Sequence, residues 1–166
     1  MAKIVLLSCT KSKLDKKSKA KDLYSASPMF QKTLEYGEEL NPDKMFILSA
    51  KHHLVPLNKM LEPYDKTLKE MPKDEKEKWG QEVFKQMKQN GIKPEQDKFI
   101  MLTGSEYLKP LMDYIPEKNI EQPMEGKRFG QRLKWLNQQL NKIKEVLKRV
   151  KNIIYEIIQT PIKRIY

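Results

Sequence analysis

Three short apolar runs constrain the fold of this chain more than any other feature of its sequence. They are "KIVLLS" at residues 3–8, "KMFILSA" at 44–50 and "KFIMLTG" at 98–104. Each run is almost continuously apolar rather than alternating, which is the pattern of a strand buried on both faces. The sequence therefore predicts a sheet that is covered on both sides, with these runs as its strands.

Helical patterns separate the runs. Residues 27–40 begin with Ser27 as N-cap and Pro28 at the first helical position, and residues 71–91 carry acids early and stop at Asn-Gly. A shorter helix is predicted over residues 105–115. Alternating strands and helices predict an α/β fold, a small three-layer domain with a mostly parallel sheet and a long C-terminal amphipathic helix.

Cysteine content and the N-terminal sequence limit the classes of protein to which this chain can belong. Cys9 is the sole cysteine among 166 residues, which excludes an internal disulfide framework and a multi-cysteine zinc site. A single cysteine suits a reducing compartment, and the start "MAKIVLLSC" is too briefly apolar for a signal peptide or a membrane span. We therefore expect one cytoplasmic domain with a modest appendage.

The net charge of +11 is unevenly distributed. Residues 127–166 carry eleven Lys or Arg against Glu145 and Glu156, a balance of +9, so the first 126 residues carry only +2. Electrostatic attraction to phosphate is thus expected mainly from the C-terminal part of the chain.

The same C-terminal part shows heptad spacing over residues 133–157. The apolar residues that step by three and four are Leu133, Leu136, Leu140, Ile143, Leu147, Val150, Ile154 and Ile157. This pattern favours an oligomer-forming coiled coil, although its first part is also compatible with packing on the domain's own sheet. A basic amphipathic helix on acidic lipid or on nucleic-acid phosphate is the alternative. We divide the chain into an α/β domain, 1–140, and a basic helical extension, 141–166.

Each apolar run leads directly into a polar cluster. "SCTKSK" follows the first run, "SAKHHL" the second and "TGSEY" the third. Because ligands of open α/β sheets bind beyond the carboxyl ends of the strands, these clusters are expected to converge on one site. The alternative is that they are ordinary polar loops.

Several spaced segments resemble a known family. "SCTKSK", "AKDLYSASPMF", "FILSAKHHLVPL", "LEPYDKTL" and "GQRLKWL" resemble small bacterial and phage α/β domains that are often labelled as similar to the YaaA peroxide-stress proteins. The cysteine followed by KxLYSxS also resembles the lyase-type domain of archaeosine synthase, which acts on a modified base in tRNA. Related domains include phage-defence DNA glycosylases. The resemblance covers about residues 3–140 and implies an activity directed at nucleobases.

The chain departs from that family's pattern at two histidines. Where "SAKYGLL" is expected the chain has "SAKHHLV", so His52 replaces an aromatic residue and His53 replaces a glycine. Histidine adopts a positive φ less readily than glycine, which could alter this turn. Adjacent residues of an extended segment point in opposite directions and no third ligand is apparent, so we predict no metal site.

Cys9 has the strongest case for chemistry. Lysines nearby would favour its thiolate, whereas the alternative is a small buried apolar residue at a strand end. Glu62 and Asp65 of "LEPYD" are the candidate carboxylates for cleaving an N-glycosidic bond, with a solvated surface turn as the alternative. The predicted catalytic residues are Cys9, Glu62 and Asp65.

Substrate contacts are expected from lysines, hydroxyls and aromatic rings of the same clusters. Tyr24 is a candidate for stacking on an extruded base, and the start of the third helix favours an anion. The predicted substrate-binding residues are Ser8, Thr10, Lys11, Lys13, Lys21, Tyr24, Ser25, Ser49, Lys51, His52, Tyr64, Gly104 and Tyr107.

Three functions of different classes follow. The first is an enzyme that acts on a nucleobase, modified or not, or on its N-glycosidic bond in nucleic acid, DNA rather than RNA. The second is a non-catalytic DNA-binding stress protein of the YaaA-like kind, and the third is an oligomeric adaptor. The sequence has no P-loop and no G-x-G-x-x-G after its first strand, so no cofactor is predicted.

Overall fold

A computed structural model describes residues 1–159 of the chain. The strands are β1 (Lys3–Ser8), β2 (Ser18–Lys19), β3 (Lys44–Ser49), β4 (His53–Pro56), β5 (Met60–Leu61), β6 (Lys98–Leu102) and β7 (Ile120–Glu121). The α-helices are α1 (Ala20–Leu23), α2 (Pro28–Glu39), α3 (Lys73–Gln89), α4 (Ser105–Leu108) and α5 (Phe129–Gln159). The predicted α/β class is confirmed.

The main sheet is mostly parallel, with β1 at its centre. Its strand order is β4-β3-β1-β6-β7, and β4 alone of these is antiparallel to its neighbour. Leu7 of β1 stands beside Ile47 of β3 and Leu102 of β6. The carboxyl ends of these strands therefore lie at one edge, which brings the segments that follow them together.

Side chains alternate between the two faces of β1, so the sheet is covered on both sides. Ile4 and Leu6 belong to the core under α3, which contains Trp79, while Val5 and Leu7 belong to the core under α2, which contains Phe30. All four β1 side chains are fully buried. This explains why the strand sequence is continuously apolar rather than alternating.

The helix boundaries follow local chemistry. Ser27 caps α2 as predicted, since its Oγ accepts the backbone N–H of Phe30 at 3.3 Å. The helix predicted over residues 105–115 is shorter: α4 ends at Leu108 and a 3₁₀ turn follows at Lys109–Leu111. Pro110 lacks the N–H that a continuing α-helix requires, which accounts for the break.

The long helix α5 has one half on the domain and one half in solvent. Leu136 and Leu140 are buried, Trp135 packs edge-on against Tyr36 of α2 at 5.1 Å between ring centroids, and Lys144 pairs with Glu35 at 3.0 Å. Beyond this point the side chains up to residue 159 are exposed. Residues 160–166 of the predicted extension lie outside the described residues. None of the helices within 1–159 is long and apolar enough to cross a membrane.

Candidate functional site

Two adjoining cavities lie at the carboxyl edge of the central strands. The cysteine cavity, of about 330 Å³, is lined by Cys9, Thr10, Lys11, Lys13, Asp65, Lys66, Thr67, Lys69, Glu70 and Tyr107. The arginine cavity, of about 460 Å³, is lined by Ser8, Thr10, Met29, Phe30, Thr33, Thr67, Lys69, Leu102, Thr103, Gly104, Glu106, Tyr107, Met124, Lys127, Arg128, Phe129 and Arg132. They share four lining residues, so a single ligand can extend from one into the other.

Cys9 and Tyr107 form the contact at the junction of the cavities. The Cys9 Sγ lies 3.1 Å from the Tyr107 hydroxyl, and the Cys9 N–H donates to the carbonyl oxygen of Leu48 at 2.9 Å, which fixes the residue at the end of β1. Burial raises the pKa of Tyr107 well above its usual range, and the neighbouring Cys9 raises it further. Tyr107 is therefore a protonated hydroxyl that can donate to the sulfur or to a substrate.

Three hydroxyls form a second chain beside the cysteine. Tyr64 lies between Ser49 and Tyr24, with oxygen–oxygen distances of 2.7 and 2.8 Å. The Ser49 Oγ already accepts the backbone N–H groups of Lys51 and His52, at 3.2 and 2.9 Å. Both of its lone pairs are thus occupied, so Ser49 donates its proton to Tyr64 and orients the Tyr64 hydroxyl toward Tyr24.

The stacking role expected of Tyr24 is corrected by its burial. Its side chain has no exposed surface, and its ring packs on Phe30 at 5.3 Å between centroids, so neither ring face is available to a base. Burial raises the pKa of Tyr24 to about 12, which keeps the hydroxyl neutral. Tyr24 therefore belongs to the core and lines neither cavity, and its hydroxyl is hydrogen-bonded to Tyr64.

Lys13 is held as a positioned cation in the cysteine cavity. Its Nζ donates to the carbonyl oxygens of Thr10 and Lys11 at 2.9 and 3.3 Å and lies 4.3 Å from the centroid of the Tyr64 ring. Burial lowers the pKa of Lys13, while Cys9 and Asp65 oppose that shift. The Lys13 ammonium consequently gives up a proton more readily than an exposed lysine does.

The two predicted catalytic carboxylates have different surroundings. Asp65 lines the cysteine cavity, whereas Glu62 lies on the surface with 67% of its side chain exposed and pairs with Lys17 at 3.5 Å. Glu62 lines neither cavity. Only Asp65 is therefore placed to act beside Cys9, and the assignment of Glu62 is corrected on this ground.

The remaining predicted residues divide between the site and its surroundings. Lys11 lines the cysteine cavity, and Ser8, Thr10 and Gly104 line the arginine cavity. Lys51 is exposed with its Nζ 5.7 Å from the Tyr64 ring centroid. Lys21 and Ser25 line neither cavity; the Lys21 N–H donates to the carbonyl oxygen of Leu57, and the Ser25 carbonyl oxygen accepts from the Gln31 side chain.

The two histidines have different environments. His52 packs edge-on against Tyr64 at 5.1 Å between ring centroids, and burial lowers its pKa. His53 has a φ of +62°, so the turn keeps the left-handed backbone that glycine adopts most easily. Residues 1–159 contain no cluster of three or more His, Cys, Asp or Glu side chains that could hold a metal ion.

The sequence interpretation missed most of the arginine cavity. Lys69, Thr103, Lys127, Arg128 and Arg132 line it and were not among the predicted site residues. Arg132 belongs to "GQRLKWL", one of the segments that carry the resemblance, so that segment was a signal for this residue. The others lie in loops and at a helix start, where no local pattern marks a ligand contact.

Fold and site together define an α/β domain with a polar site at the carboxyl edge of its sheet. The sequence profile of a family of unknown function, DUF6884, matches residues 4–138, and the chain belongs to that family. Comparisons with curated proteins and with solved structures gave no significant match.

Proposed function

We propose that this chain is a nucleic-acid-directed enzyme that acts on a nucleobase, modified or not, or on its N-glycosidic bond. The observation that carries the proposal is the contact between the Cys9 Sγ and the Tyr107 hydroxyl at 3.1 Å, in a cavity that also contains Lys13 and Asp65. The resemblance to YaaA-like domains and to nucleobase-directed enzymes supports the same chemistry, with DNA favoured over RNA and with the cytoplasm as the expected compartment.

Cleavage of an N-glycosidic bond would use two charged groups of the cysteine cavity, Lys13 and Asp65. The bond from C1′ of the sugar to the base nitrogen breaks, and its electron pair leaves with the base. The Lys13 ammonium donates a proton to the departing base, and the Asp65 carboxylate stabilises the positive charge on the sugar. Water then adds to C1′ and transfers a proton to Asp65. Loss of this proton to solvent and uptake of one by Lys13 restore the carboxylate and the ammonium, which completes a hydrolysis.

Neutral hydroxyls are suited to reading the polar edge of a base. Burial raises the pKa of Tyr64 and of Tyr107, so both hydroxyls remain protonated. In this proposal Tyr107, with Cys9 beside it, contacts the base directly. Tyr64 is a positioning residue, because its ring supports Lys13.

A base-release assay with matched variants tests this proposal. Unmodified DNA, phage-type modified DNA and bulk tRNA would be incubated with protein, and free base and abasic sites would be quantified by mass spectrometry. Asp65→Asn is expected to lower the rate of base release about 100-fold or more, and Cys9→Ala is expected to lower it as well. Glu62→Gln is the control, because it removes a nearby carboxylate that lies outside both cavities.

Two results would overturn the proposal. One is that the wild type releases no base from any substrate. If it still binds DNA in a salt-sensitive way, that result would favour the function of a non-catalytic DNA-binding protein. The other is an equal loss of base release in Asp65→Asn and Glu62→Gln, which would show that the cysteine cavity is not where the chemistry occurs.

We further propose that the exposed half of α5 binds a second copy of the chain. The heptad pattern continues through Leu147, Val150, Ile154 and Ile157 after the helix leaves α2, and these side chains are between 45% and 67% exposed. A continuous a/d stripe that no part of residues 1–159 covers is the arrangement of a coiled-coil strand.

A further inference from the structure

The arginine cavity differs in character from the cysteine cavity beside it. Its inner wall is apolar, formed by Met29, Phe30, Leu102 and Met124, and its remaining walls carry cationic side chains. An apolar wall with cations at the rim fits a ligand that has both a planar or apolar part and an anionic part.

Cations outnumber acids around this cavity. Lys69, Lys127, Arg128 and Arg132 line it together with one acid, Glu106. Glu106 pairs with Lys76 at 2.9 Å, and this hydrogen bond lowers the pKa of Glu106, so its charge is already matched. Neither arginine forms an ion pair with a carboxylate of residues 1–159. The rim therefore presents unmatched positive charge.

Arg132 is fixed in position at this rim. Its Nε donates to the carbonyl oxygen of Lys127 at 2.8 Å, and its Nη1 lies 3.8 Å from where a Cβ on Gly104 would stand. The guanidinium is thus held against the end of β6, and its outer N–H groups are not used by a carboxylate. A fixed, planar guanidinium is the side chain best suited to binding phosphate through two parallel hydrogen bonds.

Thr103 adds an independent observation at the same cavity. Its Oγ1 is buried and has no hydrogen-bond partner within the described part of the chain. A buried hydroxyl without a hydrogen-bond partner destabilises the fold unless a ligand or a water molecule forms the missing hydrogen bond. The orphaned hydroxyl, next to Gly104 and Arg132, is where an oxygen of a ligand would supply the missing bond.

We propose that the arginine cavity binds the phosphate-bearing part of a nucleotide whose base or sugar reaches the cysteine cavity. Arg132 and Arg128 bind the phosphate, Thr103 donates to one of its oxygens, and the apolar wall takes a neighbouring base. This inference rests on the proposed function, because it names the substrate class of the same site. A free nucleotide and a nucleotide within a strand share this chemistry.

Calorimetric titration of the full chain tests the assignment. The probes are inorganic phosphate, a nucleoside, its 5′-monophosphate and a short single-stranded oligonucleotide. Arg132→Gln is expected to weaken binding of the monophosphate and the oligonucleotide at least tenfold, while leaving nucleoside binding unchanged. For the monophosphate, Arg149→Gln is the matched control, since it removes the same charge from the exposed half of α5. Arg132→Lys, which keeps the charge without the planar fork, is expected to restore binding in part.

The outcomes distinguish a strand from a free nucleotide as the ligand. They also distinguish failure of the phosphate site from failure of the enzyme proposal. Tighter binding of the oligonucleotide than of the monophosphate assigns a strand; the reverse assigns a free nucleotide. Equal losses in Arg132→Gln and Arg149→Gln, or no binding of any phosphate probe, would overturn the phosphate site. Wild-type protein that binds the phosphate probes but releases no base from any substrate would remove the enzyme proposal alone. Base release that Arg132→Gln leaves unchanged would remove the phosphate site alone.

Discussion

The Tyr64 hydroxyl lies between two others, those of Ser49 and Tyr24, and its ring carries Lys13 on one face and His52 against its edge. Ser49 is fully buried at the end of β3, and Tyr24 is fully buried beside α2. The hydroxyl of one half-buried side chain thus connects the end of β3 to the core beside α2.

Tyr64→Phe is expected to destabilise the fold by about 1–3 kcal/mol, because it leaves the buried Ser49 and Tyr24 hydroxyls without their shared partner. Urea denaturation followed by circular dichroism measures the change. Tyr155→Phe removes the same atom from a side chain that is 65% exposed, and no change is expected there. Equal stabilities of Tyr64→Phe and wild type would show that the hydroxyl chain contributes nothing to the fold.

Asp97 gives a prediction for pH dependence. It is 5% exposed, and its carboxylate accepts the backbone N–H groups of Ala2 and Lys93, both at 2.8 Å. Burial alone would raise the pKa of Asp97, but these hydrogen bonds outweigh it and hold the pKa below its usual value. The stabilisation is therefore present above the unfolded pKa of about 3.9 and is lost as the pH falls through the folded pKa.

Asp97→Asn is accordingly expected to lower the free energy of unfolding at pH 7 and to flatten its fall on acidification below about pH 4. Chemical denaturation at a series of pH values measures both effects. Asp113→Asn, at an exposed carboxylate, is the control. A variant that keeps the wild-type acid dependence would refute the role assigned to Asp97.

At the scale of elements, α3 packs unusually close to the turn that follows α4. A Cβ built on Gly80 would lie 2.3 Å from the carbonyl oxygen of Pro110, which is backbone and cannot rotate away. Gly80 is thus the residue that allows this helix to approach, even though glycine weakens a helix.

Gly80→Ala is expected to destabilise the protein by about 1–3 kcal/mol through this overlap, despite the higher helix propensity of alanine. Gly130→Ala in α5 meets nothing within 4 Å and is expected to be neutral or to stabilise by up to about 1 kcal/mol. Thermal or urea unfolding of the pair distinguishes packing from propensity. A stabilised Gly80→Ala variant would contradict the close approach.

The exposed half of α5 gives a prediction about association. Leu147→Lys with Ile154→Lys places two charges in the apolar stripe, and the double variant is expected to convert an oligomeric wild type into a monomer in sedimentation velocity. Asn141→Lys with Asn152→Lys adds the same charge outside the stripe and is expected to leave the oligomer intact. A wild type that sediments as a monomer over a wide concentration range would end the coiled-coil proposal.

At the scale of the whole molecule, the basic C-terminal segment and the candidate catalytic residues lie in different parts of the chain. Removing residues 146–166 takes away five basic residues and one acidic residue, and none of its residues up to 159 lines either cavity. The truncated chain is expected to fold as a monomer and to show a shallower dependence of nucleic-acid affinity on salt. Binding titrations at several salt concentrations check this, and an unchanged slope would place the phosphate contacts elsewhere.

The sequence predicted the three central strands because buried parallel strands carry their own signal, and each begins where predicted. It also led us to expect that the segments after the strands converge, and Cys9 after β1 does contact Tyr107 after β6. It missed β4 and β7, which are edge strands too short for periodicity to mark. Tyr24 and Glu62 were misplaced because a residue's depth depends on tertiary packing: the first is covered by α2, and the second points into solvent beside Lys17.

One continuous helix, α5, begins at the rim of the arginine cavity and ends in solvent. Its two buried residues, Leu136 and Leu140, lie closer to the cavity end than to the far end. The helix is therefore shorter on the cavity side of these residues than on the other side. From the midpoint of those contacts, roughly 9 Å of helix reaches Arg132 and roughly 28 Å reaches Ile157. If α5 turned as a rigid rod about that midpoint, a displacement of about 3 Å at Ile157 would therefore move the Arg132 backbone by about 1 Å.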